Sequence, residues 1–374
     1  MEIAAAFLAI VVAWAASIHL YLRHAGLTAV ALVAPAAAAG IVAWFAYDRF
    51  DDEMAYAVLA GLFGIAFFCA VADRMTREIC DGVTPRSAVM RVLRNSFLAI
   101  GPAPIGVAAL AVAFAASSPI RSAGVVTFEA VLAVSAASLA AIRAAALFPY
   151  TEQFIERANR AREWRSRQGA RLSFLAETRW ALSITGIAAI FATLAFFGMK
   201  NVPFHAALGE FADPAVATCI AFAAFLASAR DWRMAVAMTA TVLLLFAVEY
   251  WVLSYGLAYM SERDTLWIAA FFLPAIAAMC LVAARWHGRL GEGNDVAAAL
   301  ERALEQEAPG AVFASAVVAI FWLAQALSAW RFTPALAGAL ISFFAAPLVF
   351  PALAMTLYRL LPRYVSIEDA LNRR

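Results

Sequence analysis

The sequence is poor in charge. Only 14% of its 374 residues are Asp, Glu, Lys or Arg, against about 25% in soluble domains. Too few polar side chains remain to cover a water-facing surface, which excludes an ordinary soluble protein. The 65% apolar content and mean hydropathy of +0.81 point instead to an integral membrane protein. Cysteine is scarce too: Cys69, Cys219 and Cys280 sit in apolar runs and Cys80 in a charged segment. No disulfide framework follows from that placement. No two of the four histidines have the spacing of metal ligands, and His205, alone among loop residues, reads as an incidental surface residue. Nucleophile motifs and phosphate-cradling glycine-rich loops are also missing. No catalytic, cofactor-binding or metal residue is therefore assigned, no cofactor is expected, and the chain is read as a non-enzyme. Nucleic-acid binding is not expected either, because the basic residues follow membrane topology rather than one folded face.

What the sequence has in abundance is long apolar runs. A membrane-crossing helix needs about 20 mostly apolar residues. Runs of that kind lie near 3–22, 27–47, 54–72, 97–116, 123–148, 180–198, 213–228, 234–256, 265–284, 310–329 and 334–358, about eleven spans. They lack the period-2 alternation of barrel strands, so helices are predicted. The first run has no A-x-A-like end and reads as an anchor rather than a cleaved signal. With the N-terminus outside and the C-terminus inside, about 22 of the 28 basic residues fall on the cytoplasmic side. An even number of spans would spoil that bias. The ten tryptophans mostly flank span ends, as interfacial anchors do.

The stretch "CDGVTPRSAVMRVLRNS" (80–96) then faces the cytoplasm between the third and fourth spans. Thr84 suits an N-cap and Pro85 a first helical position. Ala88, Val89, Val92 and Leu93 share one face, with Arg91 and Arg94 opposite. The reading is a membrane-surface helix whose Arg86, Arg91 and Arg94 lie near anionic headgroups.

The two halves repeat. "LTAVAL" (27–32) is similar to "RMAVAM" (233–238), "AVMRVLRNS" (88–96) to "AALERALEQE" (298–307), and "LFPY" (147–150) to "VFPA" (349–352). The matches are collinear and run in the same sense, which predicts two like-oriented bundles related by an axis along the membrane normal. The expected organisation is a first five-helix half over 1–150, a basic cytoplasmic linker over 151–179, a second six-helix half over 180–361 and a cytoplasmic tail over 362–374. The charge run "ERANRAREWRSRQGAR" (156–171) reads as a solvated linker that fixes topology, and Asp73 as a helix-end residue.

"DRMTREICDGVTPRSAVMRVLRNSFLAI", then an apolar span, "SSPIRSAG" and a last span ending "LFPY", resembles the resistance-nodulation-division (RND) exporters, nearest their MMPL-type lipid-exporting branch. "ARWHGRLGEGNDVAAALERAL" through "VFPALAMTLYRLL" resembles the equivalent part of that family's second half. The resemblance covers roughly 20–150 and 180–360 and implies an all-α, RND-like transmembrane bundle of 5 + 6 helices. It also departs from the family. The longest outside loop, "GMKNVPFHAALGEFAD" (198–213), is too short for the family's extracytoplasmic domains, and the first half lacks its leading helix. Ala66 stands where the family places a proton-carrying aspartate, and "FLPAIAAMCLVAA" in the second half has no ionisable residue. A five-span unit of this kind also resembles the sterol-sensing domain.

Charge inside hydrocarbon costs about 2.5–3.5 kcal/mol on insertion scales and invites a functional reading. Glu129 and Glu249, in different halves, are the candidate proton-, cation- or substrate-accepting pair; simple hydrogen bonding to Thr127 or Tyr250 is the plainer alternative. Arg143, near the inner end of its span, is expected to snorkel. The expected function is a reduced RND/MMPL-like transporter or exporter component for a hydrophobic or lipid-like molecule. It would work in the bacterial inner membrane, with a separate periplasmic partner supplying the missing domains. The rival is a non-transporting scaffold or lipid-responsive regulatory subunit.

Overall fold

The structure is a computed structural model and describes residues 2–46, 53–100, 102, 133, 135–198, 214–256, 279–329 and 348–361. Its first part holds α1 (Glu2–Leu22), α2 (Ala25–Ala46), α3 (Glu53–Cys80) and α4 (Pro85–Ile100), followed by α5 over 135–145. Next come α6 (Glu152–Ala170), a 3₁₀ turn (Ser173–Ala176), α7 (Thr178–Gly198), α8 (Pro214–Ala229) and α9 (Trp232–Gly256). The last elements are α10 over 279–291, α11 (Val296–Ala329) and α12 over 348–360. The described residues contain no strand. Alanine and leucine favour the helix, and in hydrocarbon a helix satisfies every backbone group within its own segment.

The helices α1, α2, α3, α7, α9 and α11, of 21 to 34 residues, are as long as the roughly 20 residues that a bilayer core requires. Taken over the described residues, however, no helix is both long and apolar enough to cross a membrane. The predicted spans at 97–116, 265–284 and 334–358 lie largely outside those residues and that at 123–148 in part, as does nearly all of the 198–213 loop. Where α7 is described, Leu182, Ile187, Ile190, Phe191 and Leu194 are all exposed. An apolar face that large needs a lipid or protein covering.

The surface segment and the span after it fuse into one helix in the second half. Thus α11 runs through 298–307 and 310–329 without a break, although Pro309 lies inside it. Proline has no N–H, so the Glu305 carbonyl loses its usual helical donor at this point.

Two pairs of turns have matching geometry. Arg23 joins α1 to α2 at φ 57° and Arg230 joins α8 to α9 at φ 57°. In each, the arginine N–H closes the preceding helix, onto His19 O at 2.7 Å and onto Leu226 O at 2.8 Å. Gly82 after α3 and Gly293 after α10 sit at φ 84° and 83°, the left-handed conformation that ends helices at low cost in glycine. These pairs follow the order of the sequence repeats.

The linker is not solvated along its length. Helix α6 packs on α11 and α3, with Phe154, Ala158 and Gly169 buried. A Cβ on Gly169 would meet Glu305 O at 2.6 Å and Leu304 O at 2.8 Å. The carbonyl that Pro309 leaves without a helical donor is thus the one that glycine approaches. A charge run reads as solvated because periodicity does not reveal which arginines a neighbouring helix will cover.

Candidate functional site: a charged cavity between the halves

The chemistry gathers at the end of α3. Asp73 and Arg77 are one helical turn apart and share a face. Arg77 Nε and Nη2 donate to Asp73 Oδ2 at 3.0 and 2.6 Å. Arg165 of α6 brings Nη1 to 2.7 Å from Asp73 Oδ1. That contact is one of charge rather than alignment, since no donor makes a hydrogen bond to that oxygen. From α11, Glu307 accepts Arg74 Nη2 on Oε1 at 3.2 Å and faces Arg77 Nη2 with Oε2 at 3.3 Å. The Asp73 and Glu307 side chains are 7% and 5% exposed, so the cluster is buried.

Burial by itself would raise both carboxyl pKa values. At Asp73 the nearby Arg77 and Arg165 outweigh it, and at Glu307 Arg74 and Arg77 do, so both carboxyls stay below their ordinary range. The cluster ties three parts of the chain together: α3, α6 and α11. Its anchor extends to α1. Arg165 Nη1 donates to Tyr21 O at 3.2 Å, with the guanidinium 4.8 Å from the Tyr21 ring centre. Tyr21 stacks on Phe313 of α11 at 4.1 Å. A cation at the C-terminal carbonyls of α1 also suits the helix dipole.

Around this cluster lies a cavity of about 510 Å³, walled by α3, α4, α6, α8, α10 and α11 and lined by six arginines and five carboxylates. Ser166 of α6 donates to Glu305 at 2.5 Å, and Arg162 meets Asp81 at 2.7 Å. Behind the α8–α9 turn, Asp231 takes the Arg233 N–H at 2.9 Å and the Tyr358 hydroxyl at 2.5 Å. At the corresponding α1–α2 turn, His24 Nδ1 accepts the Leu27 N–H at 3.2 Å, against the rings of Phe148, Tyr150 and Phe154.

The residues singled out in the sequence fall elsewhere. Glu129 lies outside the described residues, and Glu249 sits on α9 with its side chain outside them. Arg86, Arg91 and Arg94 are exposed on α4, with Arg91 Nη1 3.4 Å from Glu78. On the opposite face Ala88, Val89 and Val92 are buried in the core, where α4 packs on α3 and α8. Protein rather than lipid fills that apolar stripe. Arg143 is exposed. Asp73 is more than a helix-end residue. The sequence reading missed it, with Arg74, Arg77, Arg165 and Glu307, although the i, i+4 pairing in "DRMTR" and an acid two residues before Pro309 were visible.

No family model matches the sequence, and no curated protein does. The fold is similar to that of SecDF from Thermus thermophilus, a translocon-associated membrane protein. The TM-score is 0.58 at 15% identity, with 94% of this chain and 62% of that chain covered. This chain thus spans less than two thirds of the length of SecDF. At that identity the likeness concerns the fold: an all-helical bundle like the one in that membrane protein.

Proposed function

We propose that the chain is an RND-like membrane protein that serves as a transporter or exporter component for a hydrophobic or lipid-like molecule at the bacterial inner membrane. The observation that carries this reading is the likeness to the fold of a membrane protein, SecDF, over 94% of the chain. It agrees with the RND-like motifs and with a mean hydropathy of +0.81. In this reading the halves are 1–150 and 180–361, the N-terminus is outside, and a separate periplasmic protein supplies the extracytoplasmic part. Glu129 and Glu249 would carry the coupling proton or cation across the half-to-half interface.

The test is a deletion strain compared with wild type and a complemented strain, by lipid analysis of cytoplasmic-membrane and periplasmic fractions. Retention of a hydrophobic compound in the cytoplasmic membrane, reversed by complementation, is expected. Identical profiles would refute the reading. Complementation with Glu129→Gln/Glu249→Gln is expected to fail, and full export by that variant would remove the pair from the mechanism.

A second reading, a scaffold or lipid-responsive regulatory subunit, is favoured by one observation. Among the described side chains no carboxylate lies within a predicted span, and the carboxylates Asp73 and Glu307 are engaged by arginines. That reading expects deletion to disassemble a membrane complex, seen by native electrophoresis, while export kinetics stay unchanged.

A further inference from the structure

The cavity is not electrically closed. Of its six arginines, four have carboxylate partners: Arg77 and Arg165 on Asp73, Arg74 on Glu307 and Arg162 on Asp81. The remaining carboxylates are engaged elsewhere, Glu78 with Arg91 and Glu305 with Ser166. Arg230 and Arg285 are left with no carboxylate at ion-pair distance among the described residues. Arg285 donates Nε to the neutral Gln306 Oε1 at 2.6 Å, which leaves its two terminal nitrogens for another acceptor. Arg230 belongs to the second half's tight turn, where a left-handed φ of 57° and the bond to Leu226 O fix its backbone. Burial and the cations Arg289, Arg74 and Arg77 together outweigh Glu307 and push the Arg285 guanidinium below its ordinary value. Burial is the largest cause of that direction, and the three cations add to it.

The geometry points to a phosphate site: the cavity takes an anionic phosphate, borne by a lipid headgroup or a small soluble phosphate compound, between Arg230 and Arg285. A guanidinium presents a planar fork of donors that matches phosphate oxygens two at a time. The volume of about 510 Å³ exceeds one phosphate and falls in the range of small-molecule pockets, so it also holds the group that bears the phosphate. Because this is a binding property, it stands whether or not the chain transports anything.

The experiment uses the full chain purified in a neutral detergent. Inorganic phosphate is titrated at constant ionic strength and the thermal midpoint recorded. In parallel, the chain is placed in phosphatidylcholine nanodiscs with or without phosphatidylglycerol, and retained lipid is read by native mass spectrometry. Binding of at least one probe is expected, and Arg230→Gln and Arg285→Gln should each weaken it by at least about tenfold. Arg160→Gln, on the exposed side of α6, should leave it unchanged. If a glutamine variant does not fold, Arg230→Lys and Arg285→Lys replace it; each keeps the charge, loses the fork, and should bind more weakly than wild type. A response to free phosphate alone identifies a soluble ligand, and one to phosphatidylglycerol alone identifies a headgroup. If neither probe binds, or if the arginine variants bind as wild type does, the site is overturned.

Discussion

Asp73→Asn is the substitution whose consequence the structure defines best. It keeps the shape of the side chain and removes one charge. Asp73 is in contact with both Arg77 at 2.6 Å and Arg165 at 2.7 Å, and its side chain is 7% exposed. Without it Arg165 has no carboxylate partner, and Arg77 keeps only the longer contact to Glu307 at 3.3 Å. A buried ion pair contributes little net stability against an apolar replacement, but removing one partner strands the other and costs about 3–5 kcal/mol. For a chain of this size that lowers the thermal midpoint by roughly 4–6 °C. The assay is thermal unfolding in detergent, followed by a protein-based fluorescence signal, beside limited proteolysis within α6. Because Arg165 holds the linker helix to α3, the α6 sites should become cleavable in the variant. The double variant Asp73→Asn/Arg165→Gln relieves the stranded charge and should recover part of the loss, a coupling that a double-mutant cycle measures. A midpoint within about 1 °C of wild type, on the same scale, would refute the reasoning, and so would strict additivity of the two changes.

Asp73 and Glu307 have folded-state pKa values below their ordinary ones. Their stabilisation is therefore present above the unfolded values of about 3.9 and 4.3 and is lost as pH falls below them toward the folded values; unfolding midpoints should drop below about pH 4, less so in Asp73→Asn. Gly169→Ala places a methyl group 2.6 Å from Glu305 O and 2.9 Å from Glu305 Cα; backbone cannot yield as a side chain can, so a loss of about 1–3 kcal/mol is expected in the same unfolding assay. Gly82→Ala and Gly293→Ala, at φ 84° and 83° with open space around each, should each cost about 1–2 kcal/mol, and clearly unequal losses would count against equivalent turns. Arg23→Gly relieves the same conformation at φ 57° and should leave the midpoint unchanged or raise it.

Much of the architecture was readable because it rests on local chemistry. Apolar runs and helix-favouring residues specify helices wherever they occur. The predicted start at Pro85 agrees with α4, which begins there. The buried stripe of α4 was legible from helical period alone: Ala88, Val89 and Val92 are buried, and Arg86, Arg91 and Arg94 are exposed. What covers that stripe was not. A bilayer and a neighbouring helix ask for the same apolar residues, so period cannot distinguish them.

The charges show the boundary most clearly. By itself the sequence determined that charge is scarce, that it collects between apolar runs, and that Arg165 belongs to a basic segment; hydropathy and charge composition act over a few residues and need no partner. Only the tertiary structure decided that Asp73, Arg165 and Glu307, widely separated in the chain, share one buried cluster, and that Arg230 and Arg285 open onto the same cavity without a carboxylate partner among the described residues. Coulomb attraction depends on distance through space and on the exclusion of water, and neither exists until the helices have packed.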